Sequence, residues 1–189
     1  MRLGLPLREA DIRTLKAGDK VELSGTIFTA RDKAHLYLLG CDEMKDKLSG
    51  GVVYHCGPII QKGDPGIRII SAGPTTSERM SLYAPQLLKK YRIRAMIGKG
   101  GMDSDTLDAM ERYGCVYLAA VGGAGALIAA SVRKVVNVYK EEFGMPEAIY
   151  ALEVRDMPLI VAMDAKGNSI YENVLRISGV NMDRIFTGS

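Results

Sequence analysis

Cysteine is scarce and scattered in this 189-residue chain: only Cys41, Cys56 and Cys115 occur. An odd number without clustering argues against a disulfide framework. Three thiolates can hold a 4Fe–4S cluster with one open iron, but these three are far apart in sequence and form no C-x-x-C. They read as reduced, buried thiols. Long apolar runs are also missing. No stretch of about 18 apolar residues exists, which argues against a membrane span. The opening "MRLGLPLREADI" has no signal-peptide apolar region, and a cytoplasmic location is expected. Charge of one sign is not in excess. The formal net charge of +3 is too small to argue for a nucleic-acid partner. Histidine is rare, with His35 and His55 alone. No Ser/His/Asp or Cys/His arrangement and no metal-ligand set has a recognisable context.

What is present reads as one domain over residues 1–189. "READIRTLKAGD" (8–19) suggests a short helix or ordered turn ending at Gly18, and "KVELSGTIFTA" (20–30) a strand. A helix is expected from Asp32, a capping-type residue, through "KAHLYLL". "GVVYHCGPII" and "GIRIISAG" read as strands, and "TSERMSLYAPQLLKKY" as a helix that Pro85 should break or kink. "IRAMIG" and "CVYLAAV" are short apolar strands flanking a helix closed by Gly114. "GGAGALIAASVRKVVNVYKEEFG" has the pattern of a Gly-rich turn and a long amphipathic helix. "AIYALEVRDMP" and "LIVAMDAKGNSIY" read as two strands, the second folding back at "DAKGNS". Apolar strands alternating with helices from Ile67 to Val154 imply an α/β fold. A parallel sheet is covered by helices, with a smaller, partly antiparallel β layer.

In such sheets a ligand binds beyond the carboxyl ends of the strands. The residues expected there are Arg31 and His35 in "RDKAH", Thr75, Thr76 and Arg79 in "GPTTSER", and Lys99 in "GKGG". Gly98, Gly100 and Gly101 surround Lys99 at an expected helix start, where backbone N–H groups can approach an anion. Arginine holds a carboxylate through two parallel hydrogen bonds, and lysine adds a compact charge. The set suits a small anion with two or more carboxylates. Each signal has a plainer reading. Gly73-Pro74-Thr75 can be a turn with a threonine helix cap, Arg79 a solvated helix residue, and His35 a structural imidazole. "QKGDPG" (61–66) is a tight polar turn whose Lys62 and Asp64 can serve as a rim element. "GKGG" is not a P-loop, lacking the upstream glycine and the following Ser/Thr.

"RDKAH", "HCGPI", "KGD", "SAGPTTSERM" and "GKGGM", in this order, resemble the β subunit of two-subunit class I fumarases and tartrate dehydratases. The same unit is the C-terminal domain of single-chain class I fumarases. The resemblance runs from about Arg2 to Phe186. It implies a swivelling β/β/α three-layer domain and a hydro-lyase whose 4Fe–4S cluster is held by three cysteines of a partner α subunit, with none bound by this chain alone. It further implies that Arg31, Thr75, Arg79 and Lys99 contact the dicarboxylate substrate, with Thr75 a candidate proton-transfer group. His35, Lys62, Asp64, Thr76, Gly98, Gly100 and Gly101 would then be supporting residues, in a higher hetero-oligomer. Where the family pattern has alanine and glycine after the second threonine, this chain has Ser77-Glu78, which is expected to place a carboxylate near Arg79. Reversible hydration of fumarate to L-malate is the leading expectation and L-tartrate dehydration the alternative. A non-catalytic anion-binding domain is a rival of another class. So is a swivelling module of the phosphoryl-carrier kind, which needs an exposed histidine.

Overall fold

Three short segments, Val52–Tyr54 (β3), Ala95–Gly98 (β6) and Val116–Ala119 (β7), run parallel side by side and are buried on both faces. Burial on both faces explains why they are continuous apolar runs instead of alternating ones. Val52, Tyr54, Ala95, Ile97, Val116 and Leu118 point into one core, and Val53, Met96 and Tyr117 into a second. The structure is a computed structural model that describes residues 1–64 and 66–187.

Around these strands lie Arg2–Gly4 (β1), Lys20–Thr29 (β2), Val132–Tyr139 (β8) and Ile149–Met163 (β9). The seven strands form one sheet in the order β1-β2-β3-β6-β7-β9-β8. β1, β2, β3, β6 and β7 are mutually parallel; β9 runs antiparallel to β2, β7 and β8. Because β9 pairs with both β7 and β2, the pairings β2-β3-β6-β7-β9 return to their start. A separate two-stranded antiparallel sheet, Ile59–Gly63 (β4) with Gly66–Ser71 (β5), covers the first core through Ile69. Helices α1 (Glu9–Ile12) and α6 (Gly125–Ala130) also pack there. Helices α2 (Asp32–Gly40), α3 (Lys45–Leu48), α4 (Ala84–Tyr91) and α5 (Ser104–Tyr113) cover the second core. The result is the expected α/β architecture of helices, a main sheet and a smaller antiparallel layer.

Several expectations hold in detail. Gly114 ends α5 in the left-handed conformation. Pro85 sits in the first turn of α4, and the chain before it is a separate 3-10 turn, Ser77–Met80. Others are corrected. The long helix expected after "GGAGAL" stops at Ala130 and gives way to β8. β5 is not in the parallel sheet but pairs back on β4, a hairpin that starts at Ile59, after β3 has ended at Tyr54 and the chain has passed Gly57-Pro58. Of the turn expected at 61–66, Pro65 lies outside the described residues. The two strands expected at 148–171 are one strand, β9, which accommodates a bulge around Asp156 at φ 49°. After the turn at Asp164, whose carboxylate accepts from the N–H groups of Lys166 and Asn168, the chain enters a helix, α7 (Ile170–Thr187), and not a returning strand. No described helix is long and apolar enough to cross a membrane.

Candidate active site

The carboxyl ends of β3 and β6 are bridged by the segment Pro74–Ser77. Cys56 pairs with Pro74 and Thr76 with Lys99. The Thr75 N–H donates to the His55 carbonyl at 2.7 Å, Ser77 N–H to the Lys99 carbonyl at 3.0 Å, and Lys99 N–H to the Thr75 carbonyl at 3.2 Å. The threonines are therefore fixed by backbone bonds on both sides. Thr76 occupies the position before the 3-10 turn, yet its side chain makes no capping bond. Neither hydroxyl is spent on a helix cap, so the plainer reading of "GPTT" fails.

Arg79 follows on the 3-10 turn. Its Nη2 donates to Asp32 Oδ2 at 3.1 Å and to Thr75 Oγ1 at 3.4 Å. Asp32 opens α2 without capping it, and Arg31 is the residue before the helix. The carboxylate beside Arg79 is thus Asp32. Glu78, expected in that place, is exposed and makes no ion pair among the described residues. Arg31 is mostly buried. Its guanidinium lies over Gly57, where an added Cβ would come within 3.0 Å of Nη1. Its Nε faces Glu147 Oε1 at 3.6 Å, too far for a hydrogen bond, and has no hydrogen-bond partner. Glu147 itself accepts from the Lys33 N–H at 3.0 Å. Lys99 extends along the loop after β7, its Cδ 3.6 Å from where a Cβ on Gly122 would lie, and it forms no ion pair among the described residues. Two of the rim's three cations are thus held by carboxylates, and the third is free.

The structure therefore brings Arg31, Thr75, Arg79 and Lys99 to the carboxyl ends of adjoining strands. Thr76 accompanies them, exposed. Lys62 and Asp64 are not brought there. They lie at the far end of the β4–β5 hairpin, with Lys62 4.0 Å from Glu141. The glycines around Lys99 do not open a helix terminus to an anion, because α5 begins only at Ser104 and Asp103 caps it by accepting from Thr106 N–H. Gly98 instead leaves room for Ser77, whose hydroxyl a Cβ would overlap. Gly100 adopts φ 74°, and a Cβ on Gly101 would press within 3.2 Å of Tyr171. His35 and His55 are wholly buried, so neither can present an imidazole for phosphorylation.

Comparison with known proteins shows the family. The family description "Fumarase C-terminus" matches residues 1–174.

The chain belongs to the fumarase C-terminal family.

It is 48% identical over 174 residues to a protein provisionally named L(+)-tartrate dehydratase subunit beta from Methanocaldococcus jannaschii, covering 89% of each chain. It is 31% identical over 188 residues to the L(+)-tartrate dehydratase subunit beta of Escherichia coli, covering 97% of this chain and 92% of that one. It is 44% identical over 177 residues to a protein provisionally named class I fumarate hydratase from Geobacillus stearothermophilus, where the match covers 93% of this chain but only 34% of the longer relative.

The three thiols do not suit a shared metal cluster. Cys56 follows β3 and Cys115 precedes β7, and through β6 the register sets them about five residues apart along the strands, roughly 16 Å. Burial pushes the Cys56 thiol up to about 12 and raises that of Cys115 further, the opposite of what a thiolate ligand needs. No group of three His, Cys, Asp or Glu poised for a metal occurs among the described residues.

Proposed function

We propose that this chain is the β subunit of a two-subunit hydro-lyase and supplies the cationic clamp for a dicarboxylate, adding water to fumarate to give L-malate and reversing that reaction. The observation that carries it is the convergence of Arg31, Thr75, Arg79 and Lys99 at the carboxyl ends of β2, β3 and β6, in a member of the fumarase C-terminal family. The longer Geobacillus relative, about a third of which this chain matches, and the relatives named subunit beta in the other two organisms support a partner α subunit.

Each rim group has a task its geometry suits. Arg79 is oriented by Asp32 and Thr75 through Nη2, and its Nε–H and Nη1–H donors remain for carboxylate oxygens of the substrate. Arg31, lying on Gly57 with its buried Nε turned toward Glu147, keeps its Nη donors for a second acceptor. Lys99 adds a mobile point charge. When a carbon-bound proton is removed next to a clamped carboxylate, negative charge grows on that group. Donors already in place stabilise this charge more than they stabilise the bound substrate. Thr75 Oγ1 touches the Arg79 guanidinium, and a cation beside an oxygen favours negative charge on it, the direction a proton acceptor needs. A 4Fe–4S cluster held by three cysteines of the α subunit would supply the Lewis acid that helps the hydroxyl depart.

A second reading, dehydration of L-tartrate to oxaloacetate, is favoured by the names of the M. jannaschii and E. coli relatives. The test is co-expression with a cluster-bearing α chain, anaerobic purification, and assay of the complex on L-malate and L-tartrate. Fumarate formation supports the proposal. Turnover of tartrate alone selects the second reading. An intact, cluster-loaded complex that turns over neither would leave a non-catalytic anion-binding domain.

A further inference from the structure

Beneath the rim lie four polar side chains that the clamp does not use: Tyr117, Ser77, His55 and His35, all fully buried. The Tyr117 hydroxyl donates to Ser77 Oγ at 2.8 Å, and Ser77 Oγ is 2.8 Å from His55 Nδ1. The His55 ring meets the His35 ring edge-on with centroids 5.0 Å apart. His35 Nδ1 is 2.8 Å from the Arg31 carbonyl oxygen.

The chemistry of these partners assigns the protons. A carbonyl only accepts, so His35 carries its proton on Nδ1 and keeps a bare lone pair on Nε2. Ser77 Oγ accepts from Tyr117, and its own O–H has no other acceptor among the described residues than His55 Nδ1, to which it donates. His55 then carries its proton on Nε2. The two neighbouring imidazoles are opposite tautomers, and neither Nε2 has a partner among the described residues. Leaving two polar atoms buried in this way is costly. The gain lies in what the other atoms of the same residues hold. The His55 carbonyl accepts from Thr75 N–H, Ser77 N–H donates to the Lys99 carbonyl, and the Arg31 carbonyl receives both the backbone N–H and the Nδ1–H of His35. Gly98 is required for the same set, since a Cβ there would overlap Ser77 Oγ and come within 2.9 Å of the Tyr117 hydroxyl.

We propose that Tyr117, Ser77, His55 and His35 are positioning residues: a buried hydrogen-bonded chain, Tyr117–Ser77–His55, packed edge-on against His35, which is bonded to the Arg31 carbonyl, so that together they fix the backbone of Arg31, Thr75 and Lys99 beneath the dicarboxylate. This rests on the hydro-lyase reading of the rim. None of the four touches substrate; they act through the rim residues they hold.

Two measurements test it. The first uses the assembled complex and three substitutions of His35. His35→Asn keeps a donor near the Nδ1 position, His35→Gln reaches toward the Nε2 position, and His35→Leu offers neither. Outer partners of active groups typically contribute about 10- to 100-fold in activity. The leucine and glutamine variants are expected to lose at least about 10-fold in kcat per assembled complex, and asparagine to restore most of it. A glutamine variant as active as wild type while asparagine is not, or a leucine variant with unchanged kcat, would overturn the proposal. The second measurement needs no turnover. Nitrogen-15 spectra of the histidine side chains in the full chain at pH 7 should show His35 protonated on Nδ1 and His55 on Nε2. Matching tautomers would overturn this arrangement. Opposite tautomers in a loaded wild-type complex inactive on both substrates would leave the arrangement intact and reject the hydro-lyase reading.

Discussion

Arg79 Nη2 is shared between Asp32 Oδ2, at 3.1 Å, and Thr75 Oγ1, at 3.4 Å. One nitrogen of the guanidinium is therefore occupied by a carboxylate from another element and by a hydroxyl from its own turn. The plane of the group is set before any substrate arrives, and the remaining N–H donors are left for it.

Arg79→Lys should damage the assembled enzyme far more than retention of charge suggests. An ammonium cannot reproduce the planar, fixed set of donors that Asp32 and Thr75 orient, and loss of one donor to developing charge costs about 10²–10³ in kcat. Arg68→Lys is the control, because Arg68 lies within β5 opposite Gln61 and away from the rim. Steady-state kinetics of both variants decide the matter. A rise in KM alone for Arg79→Lys would make the residue a uniform binder.

Asp32→Ala separates activity from stability. The pair it forms with Arg79 is open to water, with side chains 40% and 51% exposed, so its removal should change unfolding free energy by no more than about 1 kcal/mol. The guanidinium loses its orientation, however, and kcat/KM should fall by about 10-fold. Urea unfolding and kinetics on the same preparation check both halves. Unchanged kinetics would reduce Asp32 to a passive surface partner.

Gly98→Ala should destabilise the fold by about 1–3 kcal/mol, as overpacking of a tight site does. The conflict is specific: the new methyl meets the Ser77 hydroxyl first. Adding Ser77→Ala should therefore recover part of the loss, giving a coupling of at least about 0.5 kcal/mol in a double-mutant cycle. Strict additivity would mean that the hydroxyl is not what Gly98 accommodates.

Stability should also depend on pH through the two imidazoles. Burial pushes His35 down to about 4, and burial, aided by neighbouring His35, holds His55 well below its usual value. In the unfolded chain both protonate near pH 6.5. Below that pH the unfolded state binds more protons than the folded one, so folding free energy is lost as pH falls from about 6.5 toward 4. The slope is up to about 1.4 kcal/mol per pH unit for each imidazole. Unfolding midpoints at pH 7 and pH 5 should diverge more for wild type than for the His35→Asn, His55→Asn double variant. Equal divergence would show that the folded imidazoles already carry charge.

The rim was legible because strand ends in a parallel sheet gather whatever follows them. Arg31, Thr75, Arg79 and Lys99 each come directly after an apolar run or its turn, and that local order survives folding. Asp32 and Glu147 were missed as partners of the arginines. Glu147 is remote in sequence from Arg31, and Asp32 passed for a helix cap. Tyr117 gave no signal and Ser77 only a departure from the family pattern, since a buried hydroxyl's role is known by its neighbours and not by its position in the chain. The misreading of β8 has a specific cause. Register shifts between Val132 and Lys134 and between Val135 and Asn137 bring Val132, Val135 and Val138 onto the core. Two bulges thus turn a period of two into a period of three, which in sequence looks like one face of a helix.

The closed run of pairings has a consequence for the order in which the molecule can be made. β2 is complete by residue 29, but its antiparallel neighbour β9 begins only at residue 149. Until then a growing chain carries β2 and β7 with one edge each unpaired, the kind of edge that templates association between chains. Contacts so distant in sequence are slow to form, since a long loop must close before they repay it. Arg31, Thr75 and Lys99 are all translated well before the strand that completes the sheet beneath them, so a nascent chain halted before β9 would carry every rim residue and no finished frame to hold them.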